Sequence, residues 1–66
     1  MASGTVTAFS ELRGIGVIES DGARYAFHCT QIGDGTRSIR VGAAVEFDVV
    51  PGHRGDWEAA HIVKPS

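Results

Sequence analysis

Apolar and polar residues alternate in short runs along most of the chain, with a period of two. The run at 13–18 reads Arg-Gly-Ile-Gly-Val-Ile. Successive side chains of a strand point to opposite faces, so Ile15 and Val17 share one face while Gly14, Gly16 and Ile18 share the other. Glycine weakens a strand unless a bend or a close backbone approach requires it. These two glycines therefore predict a strongly bent central strand, as in a small closed barrel.

A second alternating run, at 25–29, predicts a strand that pairs with the first. Tyr25, Phe27 and Cys29 face one way, and Ala26 and His28 face the other. The Ser-Asp-Gly sequence at 20–22 is a strong hairpin signal, because glycine supplies a positive φ and aspartate tolerates one. The two runs are therefore expected to form neighbouring strands, at 15–19 and at about 24–29.

Three further strands are predicted, at 4–10, 44–50 and 57–63. In the first of them, Val6 and Ala8 form the face that we expect to be buried. The residues expected to face the core in the other two are Val45, Phe47, Val49, Ala60 and Ile62.

The segment 30–42 lacks this alternation and predicts a long loop. Ile32 and Ile39 are its expected apolar anchors, and 30–32 is a candidate for a single helical turn capped by Thr30. A loop of this length in a compact domain is often functional.

Five short strands with one long connection predict an all-β fold, a five-stranded antiparallel Greek-key barrel formed by a single domain over 1–66. Closing the sheet removes the exposed edges that an open sheet would leave. The composition agrees, because apolar residues make up 42% of the chain, glycine occurs nine times, and β-forming residues far outnumber the single leucine.

Charge and cysteine content narrow the class of protein. A net charge of −2 argues against avid, non-specific binding of duplexes but leaves single strands open. One cysteine, Cys29, allows no disulfide within the chain and fits a reducing compartment. No apolar run approaches the ~20 residues of a membrane span, and the N-terminus lacks a signal segment. We therefore expect a cytoplasmic protein with no membrane partner.

The side chains that carry chemistry form no recognisable catalytic or metal-binding pattern. No nucleophile, base and orienting group can be assembled, and the Gly-x-Gly at 14–16 lies in a strand rather than before a helix. The residues considered as metal ligands, without a paired spacing, are His28, Cys29, His53 and His61. We expect a protein that is not an enzyme and that needs neither a cofactor nor a metal.

Taken together, the runs resemble the bacterial cold-shock proteins over almost the whole chain. The stretch 13–18 is similar to that family's Lys-Gly-Phe-Gly-Phe-Ile, and 25–29 to its Val-Phe-Val-His-Phe. The stretches 4–6, 42–47 and 54–60 resemble the family's opening Gly-Lys-Val, its Gly-x-x-Val-x-Phe and its Arg-Gly-Pro-x-Ala region. The resemblance implies an OB-fold barrel that binds single-stranded RNA and DNA on an aromatic platform.

The chain departs from the family pattern mainly at that platform. The residues that stand where the family has aromatic rings are Ala8, Ile15, Val17, Ala26, Cys29 and Thr36. Only Phe9 and His28 keep a ring at a matching position. Since stacking on an aromatic side chain is worth roughly 1–3 kcal/mol per base, binding is expected to be weak and of low sequence specificity.

The resemblance and the exposed charges together give a set of expected nucleic-acid contacts: Phe9, Arg13, Ile15, Val17, His28, Arg54 and Trp57. The expected role is that of a single-strand binder, an RNA chaperone or a regulator of transcription or translation in a stress response. For Trp57 a lid over the open end of the barrel is an equal alternative, and Arg13 and Arg54 are either phosphate contacts or solvated surface charges.

A different class of function remains open. An exposed patch of Ile15, Val17 and Ala26 also suits a protein partner. The alternative is therefore a degenerate barrel that uses this aliphatic face for protein–protein interaction or homodimerisation. A monomer is the expected state under the leading hypothesis.

Overall fold

The described part of the protein, residues 2–33, 38–52 and 56–64 of a computed structural model, forms one closed five-stranded barrel. Its elements in chain order are β1 (Ala2–Ser10), β2 (Ile15–Ser20), β3 (Ala23–His28), the 3₁₀ turn η1 (Cys29–Gln31), β4 (Ala44–Pro51) and β5 (Trp57–Val63). The strands pair in the order β1-β2-β3-β5-β4, and β4 returns to β1. The predicted all-β barrel is confirmed.

One pairing differs from the predicted antiparallel arrangement. β3 and β5 close the barrel as a parallel pair, with Ala26 opposite Glu58. Parallel neighbours cannot be joined by a hairpin. The long connection after β3, followed by β4, carries the chain around the barrel to this position.

The connections among the first three strands are short, as expected. Asp21 and Gly22 both have positive φ, at 50° and 79°, and form the two-residue turn that joins β2 to β3. Gly14, with φ of 67°, ends the β1–β2 connection, and its carbonyl accepts a hydrogen bond of 2.7 Å from the amide of Cys29. Positive φ is available to glycine without a steric cost, which fits Gly14 and Gly22 to these turns.

The core fills the barrel with branched and aromatic side chains. Phe47, Ile18, Ile62 and Val6 are its largest fully buried residues. The loop anchors Ile32 and Ile39 are also buried, as the sequence predicted. The rest of the buried set is Phe27, Val45, Ala59 and Ala60.

Strict alternation fails in β1. Val6 lies opposite Ile18, but Ala8 lies opposite Val17, so β1 has one extra residue at this point. Such a bulge shifts the phase of the strand. The prediction that Ala8 is buried is therefore wrong, because the side chain is exposed, whereas Phe9 packs against the core.

Alternation also fails in β5, where its pairing with β4 shifts by one residue. Glu46 pairs with Val63 and Asp48 with Ala60, so the extra residue is in β5, where His61 has a φ of 51°. Ala59 is consequently buried together with the predicted Ala60.

Two smaller predictions also need correction. Val49 was expected in the core but is 39% exposed, because it lies near the end of β4, beyond the core cluster, and opposite the small side chain of Ala59. The helical turn begins at Cys29 rather than Thr30. Its cap is His28, whose side chain accepts a hydrogen bond from the amide of Thr30.

Candidate nucleic-acid interface

The outer surface of β1, β2 and β3 carries a continuous patch of small and aliphatic side chains. Antiparallel partners share a face of the sheet, and Val17 lies opposite both Ala8 and Ala26 while Ile15 lies opposite His28. We call this patch the outer face; its residues are Ala8, Ile15, Val17, Ala26 and His28. Ile15 is 43% exposed, and Ala8, Ala26 and His28 are exposed as well. The predicted division of β2 and β3 into two faces is confirmed.

Glycine on the inner side brings these strands close together. A Cβ added to Gly16 would clash with Cζ of Phe27 and would lie 2.9 Å from the carbonyl oxygen of Ala8. The ring of Phe27 therefore occupies the space that a side chain at position 16 would need. Of the two glycines predicted to lie in this strand, Gly16 serves the close approach, whereas Gly14 lies in the β1–β2 connection.

Phe9 does not lie on the outer face. It pairs with the buried Gly16, and its ring stacks on that of Phe27 at a centroid separation of 6.0 Å and an interplanar angle of 9°. The β1 bulge produces this placement by shifting the phase of the strand. The assignment of Phe9 to the binding surface is corrected: it is a packing residue at the edge of the core.

His28 presents a ring and one hydrogen-bonding nitrogen at the end of β3. Its Nδ1 lies 2.9 Å from Oγ1 of Thr30 and accepts from the amide of Thr30 at 3.3 Å. An accepting Nδ1 places the proton of the neutral ring on Nε2. The exposed imidazole can thus donate from Nε2 to a base or phosphate oxygen, while the 3₁₀ turn fixes its orientation.

Trp57 borders the outer face from β5. It is 58% exposed and lines a hollow together with Val17, Tyr25 and Ala26. This exposure favours a contact surface over the alternative of a lid that closes the barrel.

Cations lie around the outer face rather than on it. Arg13 is exposed in the β1–β2 connection, two residues before Ile15. Arg24, which the sequence analysis did not select, lies beyond Ala26 on β3 and pairs with Glu19 at 3.6 Å. Arg54 lies outside the described residues, as do Thr36 and His53.

The sequence analysis also missed Glu58. It is half-buried at the β3–β5 seam and lines a hollow of about 350 Å³ together with Ile15, Ala26, Phe27 and His28. Its position depends on the parallel pairing of β3 and β5, which alternation along one strand does not reveal.

Two further features are absent from the described residues. No group of three or more metal-ligating side chains occurs among them. No helix within residues 2–33, 38–52 and 56–64 is long and apolar enough to cross a membrane.

Comparison with known proteins agrees with this geometry. The family model described as the 'Cold-shock' DNA-binding domain matches residues 2–65. The chain is 46% identical to Cold shock protein CspA of Staphylococcus aureus (strain USA300), and the match covers 97% of this chain and 98% of the relative. It is 41% identical to Cold shock protein CspD of Bacillus subtilis (strain 168) over the same shares.

A solved structure titled "drosophila Unr CSD456" superposes with a TM-score of 0.79 at 28% identity. The match covers 98% of this chain but only 26% of that longer one. The family model matches nearly the whole chain, relatives exceed 40% identity, and the fold is a closed five-stranded barrel. The chain therefore belongs to the cold-shock domain family.

Proposed function

We propose that this protein is a binding module for single-stranded RNA or DNA, and that the strand lies across the outer face. The observation that carries the proposal is the continuous exposed surface of β1–β3 in a member of the cold-shock domain family. The ring of His28 and the indole of Trp57 supply stacking surfaces at its two ends, and Ile15 and Val17 cover bases between them.

Weak binding follows from the composition of the outer face. Aliphatic side chains exclude water from a base but lack the aromatic face whose stacking is worth roughly 1–3 kcal/mol per base. A strand held this way makes few base-specific hydrogen bonds, so we infer low sequence specificity. A role as an RNA chaperone or as a regulator of transcription or translation is compatible with such binding.

The test is a titration with a mixed-pyrimidine oligonucleotide at low salt, followed by the fluorescence of Trp57, the only tryptophan. Saturable quenching that weakens as salt rises is expected, because neutralised phosphates release counterions. Arg13→Ala should lower the slope of log K against log salt by about 1 if Arg13 contacts a phosphate. Arg40→Ala, at an exposed position in the loop before β4, is the charge-matched control.

Absence of binding at high micromolar concentrations of folded protein would contradict the proposal. It would favour the second candidate, a surface for a protein partner or a second copy of the chain. Leu12, which is 98% exposed in the β1–β2 connection, extends the apolar surface near Ile15 and supports that candidate. Sedimentation separates the two: a monomer that binds single strands excludes the homodimer, and a dimer that protects Ile15 excludes binding on this face.

A further inference from the structure

We propose that Glu58 makes the outer face selective for bases that carry an exposed amino group, so that cytosine is preferred over thymine and uracil. This inference rests on the proposed function, and it adds one preference among pyrimidines to binding that is otherwise of low sequence specificity. It concerns the hollow at the β3–β5 seam, lined by Ile15, Ala26, Phe27, His28 and Glu58, which we call the seam hollow.

The seam hollow has the size and lining of a small-molecule site. Its volume of about 350 Å³ falls within the ~300–1,000 Å³ of typical ligand pockets. Ile15 and Ala26 supply apolar surface, and the small side chain of Ala26 leaves room above the sheet. A flat, mostly apolar ring such as a nucleobase suits this shape.

Glu58 is the one acidic residue of this lining. Its side chain packs against the backbone of Gly52, since a Cβ built there would lie 2.7 Å from Oε2 and 2.8 Å from Cγ of Glu58. The carboxylate therefore lies close to the β4–β5 hairpin. Within the described ranges it makes no hydrogen bond or ion pair, so its oxygens are available to a ligand.

A carboxylate in this position distinguishes bases that present a hydrogen-bond donor from bases that present an acceptor. It accepts from N4 of cytosine, which is a recognised pairing in base readout. Thymine and uracil present a carbonyl oxygen, O4, at the equivalent position. Two acceptors that face each other leave the half-buried carboxylate without a hydrogen bond. The free-energy cost of an unpaired buried group exceeds the net gain from a typical hydrogen bond.

The charge of Glu58 adds to the selectivity. A negative group on the binding surface repels the phosphate backbone of every strand. Only a strand that offers a hydrogen-bond donor to the carboxylate compensates for this repulsion. Strands without such a donor are therefore bound more weakly than the apolar surface alone would allow.

The test compares oligodeoxycytidine and oligothymidine strands of equal length, titrated into the full chain and followed by calorimetry. The wild-type protein should bind the cytidine strand about tenfold more tightly. Glu58→Gln keeps the shape of the side chain but adds an amide donor, which can bond to O4 of thymine, so the preference should disappear.

Glu46→Gln is the matched control, because it removes the same charge from an exposed position on β4. It should strengthen binding of both strands equally and leave the preference intact. Equal affinity of the wild type for the two strands, or a preference that survives Glu58→Gln, would overturn the role of Glu58. Failure of both strands to bind would instead overturn the proposed function itself.

Discussion

The two sides of β2 differ in what their residues contact, although they alternate along one short stretch of chain. The inner side, with Gly16 and Ile18, lies against Phe27 and the rest of the core. On the outer side, Ile15 is exposed to solvent and Val17 is half-buried. The inner side therefore holds the barrel together, and the outer side is where side chains can change without loss of the fold.

Along β2, the departures from the family pattern follow this division. The aliphatic replacements predicted at Ile15, Val17 and Ala26 all lie on the outer face. Gly14, Gly16 and Ile18, which match the pattern, are all buried. β2 thus keeps the core-facing residues of the pattern, while its residues on the outer face differ from it.

Truncation of neighbouring residues on opposite sides of β2 should give the largest contrast. Ile18→Ala removes a fully buried side chain and is expected to lower the free energy of unfolding by about 2–5 kcal/mol. Val17→Ala removes a half-exposed one and should cost under about 1 kcal/mol. Urea denaturation measures both. Equal losses would show that the two sides of the strand do not differ in the way described.

Filling the space beneath Gly16 should have the next largest effect on stability. Gly16→Ala places a methyl group within contact range of Phe27 and the Ala8 carbonyl, and overpacking of this kind costs about 1–3 kcal/mol. Gly22→Ala is the control, because its Cβ meets nothing within 4 Å and its penalty comes only from a φ of 79°. A smaller loss of thermal stability at Gly16 than at Gly22 would contradict the close-approach explanation.

Restoring rings to the outer face should raise affinity without changing the core. The double variant Ile15→Phe, Ala26→Phe is expected to bind single strands at least about tenfold more tightly, from roughly 1–3 kcal/mol for each added stack. A ring at Ala26 also fills the seam hollow, so any preference for cytosine should fall. Unchanged affinity in a folded variant would mean that this face is not the binding surface.

The smallest effect on stability is expected for a polar pair that lies away from both sides of β2. Nδ1 of His61 lies 3.2 Å from Oδ2 of Asp48, and the side chains of His61 and Asp48 are 75% and 44% exposed to solvent. Exposed pairs contribute about 0–1 kcal/mol, so Asp48→Asn should change the free energy of unfolding by no more than about 0.5 kcal/mol. A larger change would indicate that the His61 bulge depends on this contact.

Sequence reasoning predicted the barrel and both faces of β2 and β3, because period-two alternation there runs without interruption. It failed where a strand contains an extra residue. The bulge after Val6 moved Ala8 outward and Phe9 inward, and the bulge at His61 buried Ala59. Bulges leave the composition of a strand unchanged, so alternation alone could not locate them.

The residues of the candidate site also divide into those that the sequence could predict and those that it could not. Ile15, Val17 and His28 could be assigned to one surface from alternation together with the family resemblance, and they lie on the outer face. Glu58 could not be assigned, because its neighbours in the seam hollow come from β2 and β3 and are distant in the chain. Pairing between β3 and β5 is set by closure of the barrel, which no local pattern encodes.

We propose that the outer face, and not another part of the barrel, contacts the nucleic acid. Mapping of backbone amide chemical shifts during titration with a cytidine-containing strand tests it most directly. We expect the largest shifts at Ile15, Val17, Ala26 and His28 and at the neighbouring Glu58, with little change at Val45 and Phe47. Shifts confined to β4 and its junction with β1, or no shifts at saturating strand concentration, would contradict it.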